Sequence, residues 1–321
     1  MNIRWGFIGA GYVASKALAP AVHASSNASL AAVASRDPHR AAALAPEKVY
    51  ERYEDLLADP TIDAVYINLA NSQHCQWTIA ALSAGKHVLC EKPLAVNHQQ
   101  AKEMADAATK SGQLLIEATW TRWHPRFQRA IELVSRGDIG DLISIESAFT
   151  FTADLTDNFR SDQSLGGGSL LDVGTYQLQL WRALIHPWIN PTFLKVDQVL
   201  NATGADLSTE ISAEVQLANT PLKLSAQSSF VSPEKQFTMI TGTKSRIEFT
   251  KGAAFTSWKE SSSLQIDDHT EVFPATDAYQ LMIEAVSAKI SGEDVWVLPI
   301  QESLDVALLM DAAQAFAGAH N

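Results

Sequence analysis

Asn2-Ile3-Arg4-Trp5-Gly6-Phe7-Ile8-Gly9-Ala10-Gly11-Tyr12-Val13-Ala14 sets a Gly-x-Gly-x-x-Ala turn directly after a short apolar strand and before a stretch able to form a helix. The three small residues do different jobs in a dinucleotide phosphate cradle. Gly9 permits the tight turn, Gly11 lets the backbone approach a pyrophosphate with no Cβ in the way, and Ala14 lets the helix pack on the strand. The phosphates then meet a helix N-terminus at Tyr12 and Val13, where unpaired N–H groups and the macrodipole favour negative charge. A turn with no ligand would use the same glycines, so the surrounding pattern decides.

Outward from the turn, residues 4–8, 29–34, 64–68, 87–90 and 114–118 read as buried strands. Helical stretches near residues 13–23, 39–44, 53–57, 74–84 and 97–111 separate them, which is the order of parallel βαβ units. Gly85 and Gly112 stop two of these helices as left-handed C-terminal residues. After about Thr119 the pattern changes to a helix near 125–135 and longer alternating segments at 142–151, 212–217, 223–229, 236–241 and 245–249, the mark of an antiparallel sheet. The expected class is α/β: a Rossmann-type doubly wound parallel sheet over residues 1–119, then an α+β domain with an open, largely antiparallel sheet over 120–321. Closing helices near 278–291 and 301–317 include one able to pack back on the first domain.

Composition narrows the classes. A chain of 321 residues suits two cores, and 46% hydrophobic with 19% charged residues suits a globular protein. The balance of 24 basic against 36 acidic residues, −12, repels nucleic acids and anionic membranes, so neither is expected as a partner. Cys75 and Cys90 indicate neither a disulfide framework nor a thiolate cluster, and nine histidines with no ligand spacing indicate no metal. The first strand begins almost at Met1, leaving no room for a secretory signal, and no run reaches the roughly 18 apolar residues of a membrane span. A cytoplasmic location is expected. Trp181, Trp188, Trp258 and Trp296 read as core or interface rather than as a carbohydrate platform.

Three further stretches carry chemistry. At the end of the second strand, Ser35 and Arg36 fit a 2′-phosphate, with Arg40 one helical turn on; in the other reading Asp37 takes a ribose 2′-hydroxyl and Arg36 is solvated. NADP(H) is therefore the preferred cofactor, with NAD(H) the alternative. The run Ile67-Asn68-Leu69-Ala70-Asn71-Ser72-Gln73-His74 leaves a buried strand at its carboxyl end, where ligands of such sheets bind, and enters a helix, so Asn71, Ser72 and His74 are candidates for the cofactor or for helix capping. Glu91-Lys92-Pro93 ends the next strand. Proline restricts Lys92 to extended geometry and so aims its ammonium group, and partial burial beside a positive nicotinamide would lower its pKa toward proton transfer.

Together, Gly9-x-Gly11-x-x-Ala14, the His74 loop, Gly85-Lys86-His87-Val88 and Glu91-Lys92-Pro93 resemble the Gfo/Idh/MocA oxidoreductases, over essentially the whole chain. The resemblance implies that Leu69, Ala70, Asn71, His74, Glu91 and Lys92 lie at the cofactor, and that the segment from Glu117 through Trp120, Arg122 and Trp123 to Pro125 joins the domains near the nicotinamide. It places Arg160 and the stretch from Gly166 to Tyr176 on the substrate side. Many members carry histidine where this chain has Tyr176, a departure shared with the dimeric dihydrodiol dehydrogenase and NADP-dependent D-xylose dehydrogenase branch. A homodimer or higher homo-oligomer through the C-terminal sheet is implied as well.

Read from its residues, the last stretch breaks at three glycines and enters an apolar helix on which Asp172, Tyr176 and Gln179 form one polar stripe, facing either solvent or a site. The expected reaction is hydride transfer between the nicotinamide and a carbinol or carbonyl carbon of a sugar, cyclic polyol or diol. Tyr176 leads as general acid/base, Lys92 hydrogen-bonds the same oxygen, and the two roles are exchangeable. Asp172 would orient Lys92 or a second hydroxyl, with Trp123 and Arg160 on the substrate. Two other classes use this fold among relatives: a cofactor-binding regulator, which would not need Lys92 or the polar stripe, and a glycoside-processing enzyme that uses NAD transiently.

Overall fold

The structure, a computed structural model, describes residues 1–217 and 221–320. Its contacts divide the chain into two units, Met1–Trp120 with Asp277–Leu304, and Thr121–Thr276 with the residues from Asp305 onward.

The first unit is built on β1 (Ile3–Ile8), β2 (Ala28–Ala34), β3 (Lys48–Tyr50), β4 (Ala64–Ile67), β5 (His87–Cys90) and β6 (Leu115–Glu117). They pair in the order β3-β2-β1-β4-β5-β6, every neighbour parallel, as expected of a doubly wound sheet. The strands are apolar along nearly their whole length because helices cover both faces. The strand order reverses between β1 and β4, which opens a crevice at the carboxyl ends of those two strands. β3 was not expected from sequence; Lys-Val-Tyr is short and half-exposed, and becomes a strand by pairing with β2. At the amino ends of β4 and β5, away from the crevice, the buried Lys86 donates to the carbonyls of Asp59 and Ile62 at 2.7 and 2.8 Å, so this lysine of the Gly-Lys-His-Val stretch is structural.

Helix Ala278–Ile290 belongs to the first unit. Its Ser287 hydroxyl accepts from the Trp5 indole at 3.1 Å and its Glu284 carbonyl from Asn27 at 2.9 Å, so a fully buried tryptophan has its one donor satisfied. Glu117, at the carboxyl end of β6, is also sealed in this core. Its Oε1 accepts from Leu94 N at 3.0 Å, and burial pushes its pKa up to about 7 against hydrogen bonds from Ser303 and Leu94 and the nearby Lys92 charge.

The second unit carries β7 (Leu142–Thr152), β8 (Thr192–Leu200), β9 (Asp206–Gln216), β10 (Pro221–Ser229), β11 (Val231–Gly242), β12 (Arg246–Phe249), β13 (Ser262–Ile266) and β14 (His269–Phe273). The order is β14-β13-β12-β11-β7-β10-β9-β8, antiparallel except for β7 with β10. Helix Thr175–Leu184 is pinned to the middle of this sheet by Gln177, whose Oε1 accepts from Ser147 Oγ and Gln227 N and whose Nε2 donates to Gln227 O. The closing helix Ile300–His320 is tied to the same unit by Arg182 Nε to Asp305 Oδ2 at 2.6 Å.

A wide π-type turn, Leu170–Gly174, leads into helix Thr175–Leu184. Asp206, at the start of β9, holds this beginning by accepting from Leu170 N at 2.8 Å and from the hydroxyls of Ser169 and Thr209, each at 2.6 Å. Gly168 sits at φ +122°, and a Cβ there would lie 2.1 Å from Asp206 Oδ1. The Asp206 carboxyl pKa is raised by burial, against those three donors. Asp206→Ala is expected to lower unfolding stability by about 2–4 kcal/mol in urea, because three donors lose a buried acceptor; an unchanged midpoint would show that the helix start does not depend on it.

Glu117 gives stability a pH dependence of definite sign. The folded state keeps its proton between the ordinary carboxyl value of 4.5 and about 7 whereas the unfolded chain releases it, so the contribution is present below 4.5 and is lost as pH rises toward 7. In Glu117→Gln this fall is expected to flatten when melting temperature is followed from pH 4.5 to 7.5; a slope equal to the parent's would contradict it.

Candidate active site

Gly9 adopts φ +95° and its N–H donates to Ala34 O at 2.9 Å, tying the turn to β2. A Cβ at Gly9 would lie 2.1 Å from Asn68 O, and one at Gly11 would lie 2.2 Å from Asn68 Oδ1. Gly11 N donates to that same Oδ1 at 2.9 Å. The reason for glycine at 11 therefore differs from the one read in sequence: the missing side chain makes room for an amide leaning across from the end of β4. Beyond it, Tyr12 is exposed and Ala14 fully buried, so the helix packs closely while its first N–H groups, which have no intrahelical acceptor, remain at the crevice. A glycine turn filled from the protein side and open at a helix start fits a dinucleotide pyrophosphate.

Past β2, Ser35 is buried and its Oγ accepts from Asp37 N at 3.2 Å. Asp37 Oδ1 in turn caps the short helix Pro38–Ala42, accepting from His39 N and Arg40 N at 3.0 and 3.1 Å. Capping turns this carboxylate toward its own helix, while the Arg36 and Arg40 side chains are exposed.

Past β4, Leu69 and Ala70 are partly exposed and Asn71 is buried at the head of the turn Asn71–Gln73. His74 corrects the sequence reading. It is fully buried, with Nδ1 2.9 Å from Pro93 O and Nε2 3.2 Å from Leu69 O, and burial lowers its pKa. The imidazole staples the loops after β4 and β5 and has no surface left for a cofactor.

Lys92, partly buried, follows β5, and its peptide bond to Pro93 is cis. Lys92 N donates to Glu91 Oε2 at 3.2 Å, and the buried Glu91 accepts from Tyr66 OH at 2.5 Å through Oε1. Trp120 is buried with its ring 5.9 Å from that of Tyr279. Arg122 and Trp123 are buried in the second unit, where the Gln128 amide donates to the Arg122 carbonyl.

In the second unit Asp172, Tyr176 and Gln179 are all buried, so the solvent reading of their stripe fails. Asp172 Oδ2 accepts from Arg160 Nε at 2.6 Å, and the Arg160 guanidinium also covers the Phe159 ring at 4.9 Å. Gly168 N donates to Arg160 O, which brings the Arg160 turn against the helix start. The Tyr176 ring stacks on Phe255 with centroids 6.1 Å apart and 27° between planes, and lies 6.1 Å from Phe149. Phe255 is in turn set by the fully buried Arg126, whose guanidinium donates to the carbonyls of Lys251, Gly252, Ala253 and Ala254. Burial lowers the Arg126 pKa to about 10.

Sequence reasoning missed Asn68, Tyr66, Asp206 and Arg126 as organisers of these sites. Of the four, Tyr66 carried a signal: one hydroxyl in the otherwise apolar strand Ala-Val-Tyr-Ile.

Comparison with known proteins agrees with this architecture. Residues 3–119 match the Gfo/Idh/MocA oxidoreductase family, NAD-binding Rossmann fold, and residues 127–248 match the Gfo/Idh/MocA C-terminal domain. The chain is 33% identical over 321 residues to D-xylose 1-dehydrogenase (NADP(+)) 2 of Haloferax volcanii, covering 96% of this chain and 95% of that one. It is 35% identical over 212 residues to trans-1,2-dihydrobenzene-1,2-diol dehydrogenase of Mus musculus, covering 64% of this chain and 63% of that one. The crystal structure of a 3-ketoreductase from Actinomadura kijaniata in complex with NADP and TDP-benzene matches with a TM-score of 0.87 and 26% identity over 98% of each chain. With both domains matched and a relative similar along nearly its whole length, the chain belongs to the Gfo/Idh/MocA family of oxidoreductases.

Proposed function

We propose that this enzyme transfers a hydride between NADP(H) and the carbinol or carbonyl carbon of a sugar, cyclic polyol or diol. The observation that carries the reading is a glycine turn fit for a pyrophosphate at the carboxyl ends of the same parallel strands as a lysine whose backbone N–H is anchored on buried Glu91. The names of the Haloferax and mouse relatives support the substrate class and, for the former, NADP. Ser35, Arg36 and Arg40 would hold a 2′-phosphate, a reading favoured by the capping role of Asp37. Gly9, Gly11, Tyr12, Val13, Leu69, Ala70 and Asn71 would receive the rest of the dinucleotide, with Trp120 and Arg122 toward the nicotinamide.

When bound, the cofactor supplies or accepts the hydride at the nicotinamide C4. Tyr176 takes the carbinol proton in oxidation and returns it in reduction. Lys92 hydrogen-bonds the same oxygen, and its charge favours the phenolate. Asp172, held by Arg160, accepts from a second substrate hydroxyl, and Trp123 closes the apolar side. The reading includes a cytoplasmic homodimer formed through the outward face of the second sheet, where Lys195 and Lys235 stand among Asp197, Glu146 and Glu210 around a hollow of about 370 Å³. Both signs on one face suit a two-fold contact.

Lys92→Met and Tyr176→Phe are each expected to lower kcat by about 100-fold or more, with the NADPH dissociation constant changed less than about threefold. Retained turnover in both would remove them from the chemistry. In a fluorescence titration NADPH should bind more tightly than NADH, with the preference collapsing in Arg36→Ala; equal affinities in the parent enzyme would reject the cofactor assignment.

A further inference from the structure

Tyr66 lies in β4 between Phe7 of β1 and Leu89 of β5, fully buried. Its ring meets Phe7 edge-on, with centroids 4.9 Å apart. That packing calls for an aromatic ring and makes no use of a hydroxyl. Phenylalanine would fill the same space without taking a polar group out of water.

The hydroxyl has two polar neighbours. It donates to Glu91 Oε1 at 2.5 Å and accepts from Asn68 Nδ2 at 3.4 Å. On its other side the Asn68 amide accepts from Gly11 N at 2.9 Å, and the second oxygen of Glu91 accepts from Lys92 N at 3.2 Å. Followed end to end, these contacts run from the glycine turn after β1, across the end of β4, to the backbone of Lys92 after β5. The opposite flank of Lys92 is fixed separately, by Leu94 N on Glu117.

We propose that Tyr66 and Asn68 are positioning residues that couple occupation of the glycine turn to the placement of Lys92. The inference rests on the role given to Lys92 above. Asn68 is the joint: its oxygen is bound to the turn and its nitrogen faces Tyr66, so a shift of Gly11 toward a pyrophosphate moves the amide as a unit. Hydrogen bonds linked in a chain inside a protein polarise one another, so displacement at one end changes the next link. Gly11 is thus held by a side chain that also reads the state of the neighbouring strand end.

The test is amide hydrogen exchange with 2′-phospho-ADP-ribose, which fills the turn but has no nicotinamide to touch Lys92 directly. In the parent enzyme the ligand is expected to slow exchange both in residues 9–15 and in residues 89–96; in Tyr66→Phe it should slow only the first. Equal slowing of both segments in Tyr66→Phe, or no change at 89–96 in the parent, would overturn the coupling. Should Tyr66→Phe not melt cooperatively, Asn68→Ala at saturating ligand gives the same comparison from the other end. In turnover, Tyr66→Phe is expected to lower kcat about tenfold with KM for NADPH within about threefold, and Tyr66→Phe/Glu91→Gln to be no slower than Glu91→Gln alone. An active Lys92→Met would sink the catalytic reading and leave the exchange result standing; an inactive Lys92→Met with uniform exchange in Tyr66→Phe would sink the relay alone.

Discussion

Asn68 stands where a Cβ at Gly9 or Gly11 would have to be, and the first unit's chemistry follows from that contact. The peptide after β1 must bend at positive φ and pass within hydrogen-bond distance of the end of β4. Only residues without a side chain allow both, at the cost of the extra chain entropy that glycine loses on folding. In return the helix that follows starts immediately beside the sheet, and its open N–H groups face the crevice at the switch in strand order. A chain carrying −12 can hold an anion there because the favourable field of oriented amides at a helix start is local.

Four of the buried ionisable groups illustrate three physical ways of meeting a charge. Lys86 and Arg126 give their hydrogens to backbone carbonyls, so each acts as a clasp on a loop. Asp206 has three donors, and its work is to begin a helix. For Glu117 burial outweighs its hydrogen bonds and the Lys92 charge, and the carboxyl is held near neutrality. Glu117, Asp206 and Arg126 fix backbone at Leu94, at Leu170 and in the loop that carries Phe255, while Lys86 acts at the amino ends of β4 and β5.

Much of this was legible in sequence, for a definite reason. β1, β2, β4, β5 and β6 are buried runs that announce themselves by apolar content, and Gly85 and Gly112 do hold left-handed φ values of 76° and 70°. β3, β8 and β14 are the outer strands of their sheets, partly exposed, and owe their structure to one neighbour more than to their own pattern; β13, paired on both sides, opens on two buried serines rather than an apolar run. In the site, the glycine turn and the buried stripe of Asp172 and Tyr176 could be read because their spacing is local. Asp206 acts on Ser169, 37 residues away, and Arg126 on carbonyls 125 to 128 residues away, so no local spacing reveals them. His74 shows the converse: a histidine at a helix start looks the same whether it faces a ligand or two carbonyls, and only burial separates the cases.

The Asp172–Arg160 pair bears on which substrates the proposed reaction favours. A buried carboxylate alone would be costly and would repel an electron-rich oxygen; bound by a guanidinium at 2.6 Å it becomes part of a neutral donor and acceptor pair. Beside it the Tyr176 phenol is walled by Phe149 and Phe255, rings that leave it little water to lose when a substrate arrives. Hydroxyl groups suit such a surface, since each can give one hydrogen to Asp172 and accept one from Arg160 without bringing charge. A substrate with its own anion near the reacting carbon would compete with Asp172 for the guanidinium and strand the carboxylate. Under the proposed reaction, this part of the second unit would favour the neutral carbinol end of a substrate, whatever the rest of that molecule carries.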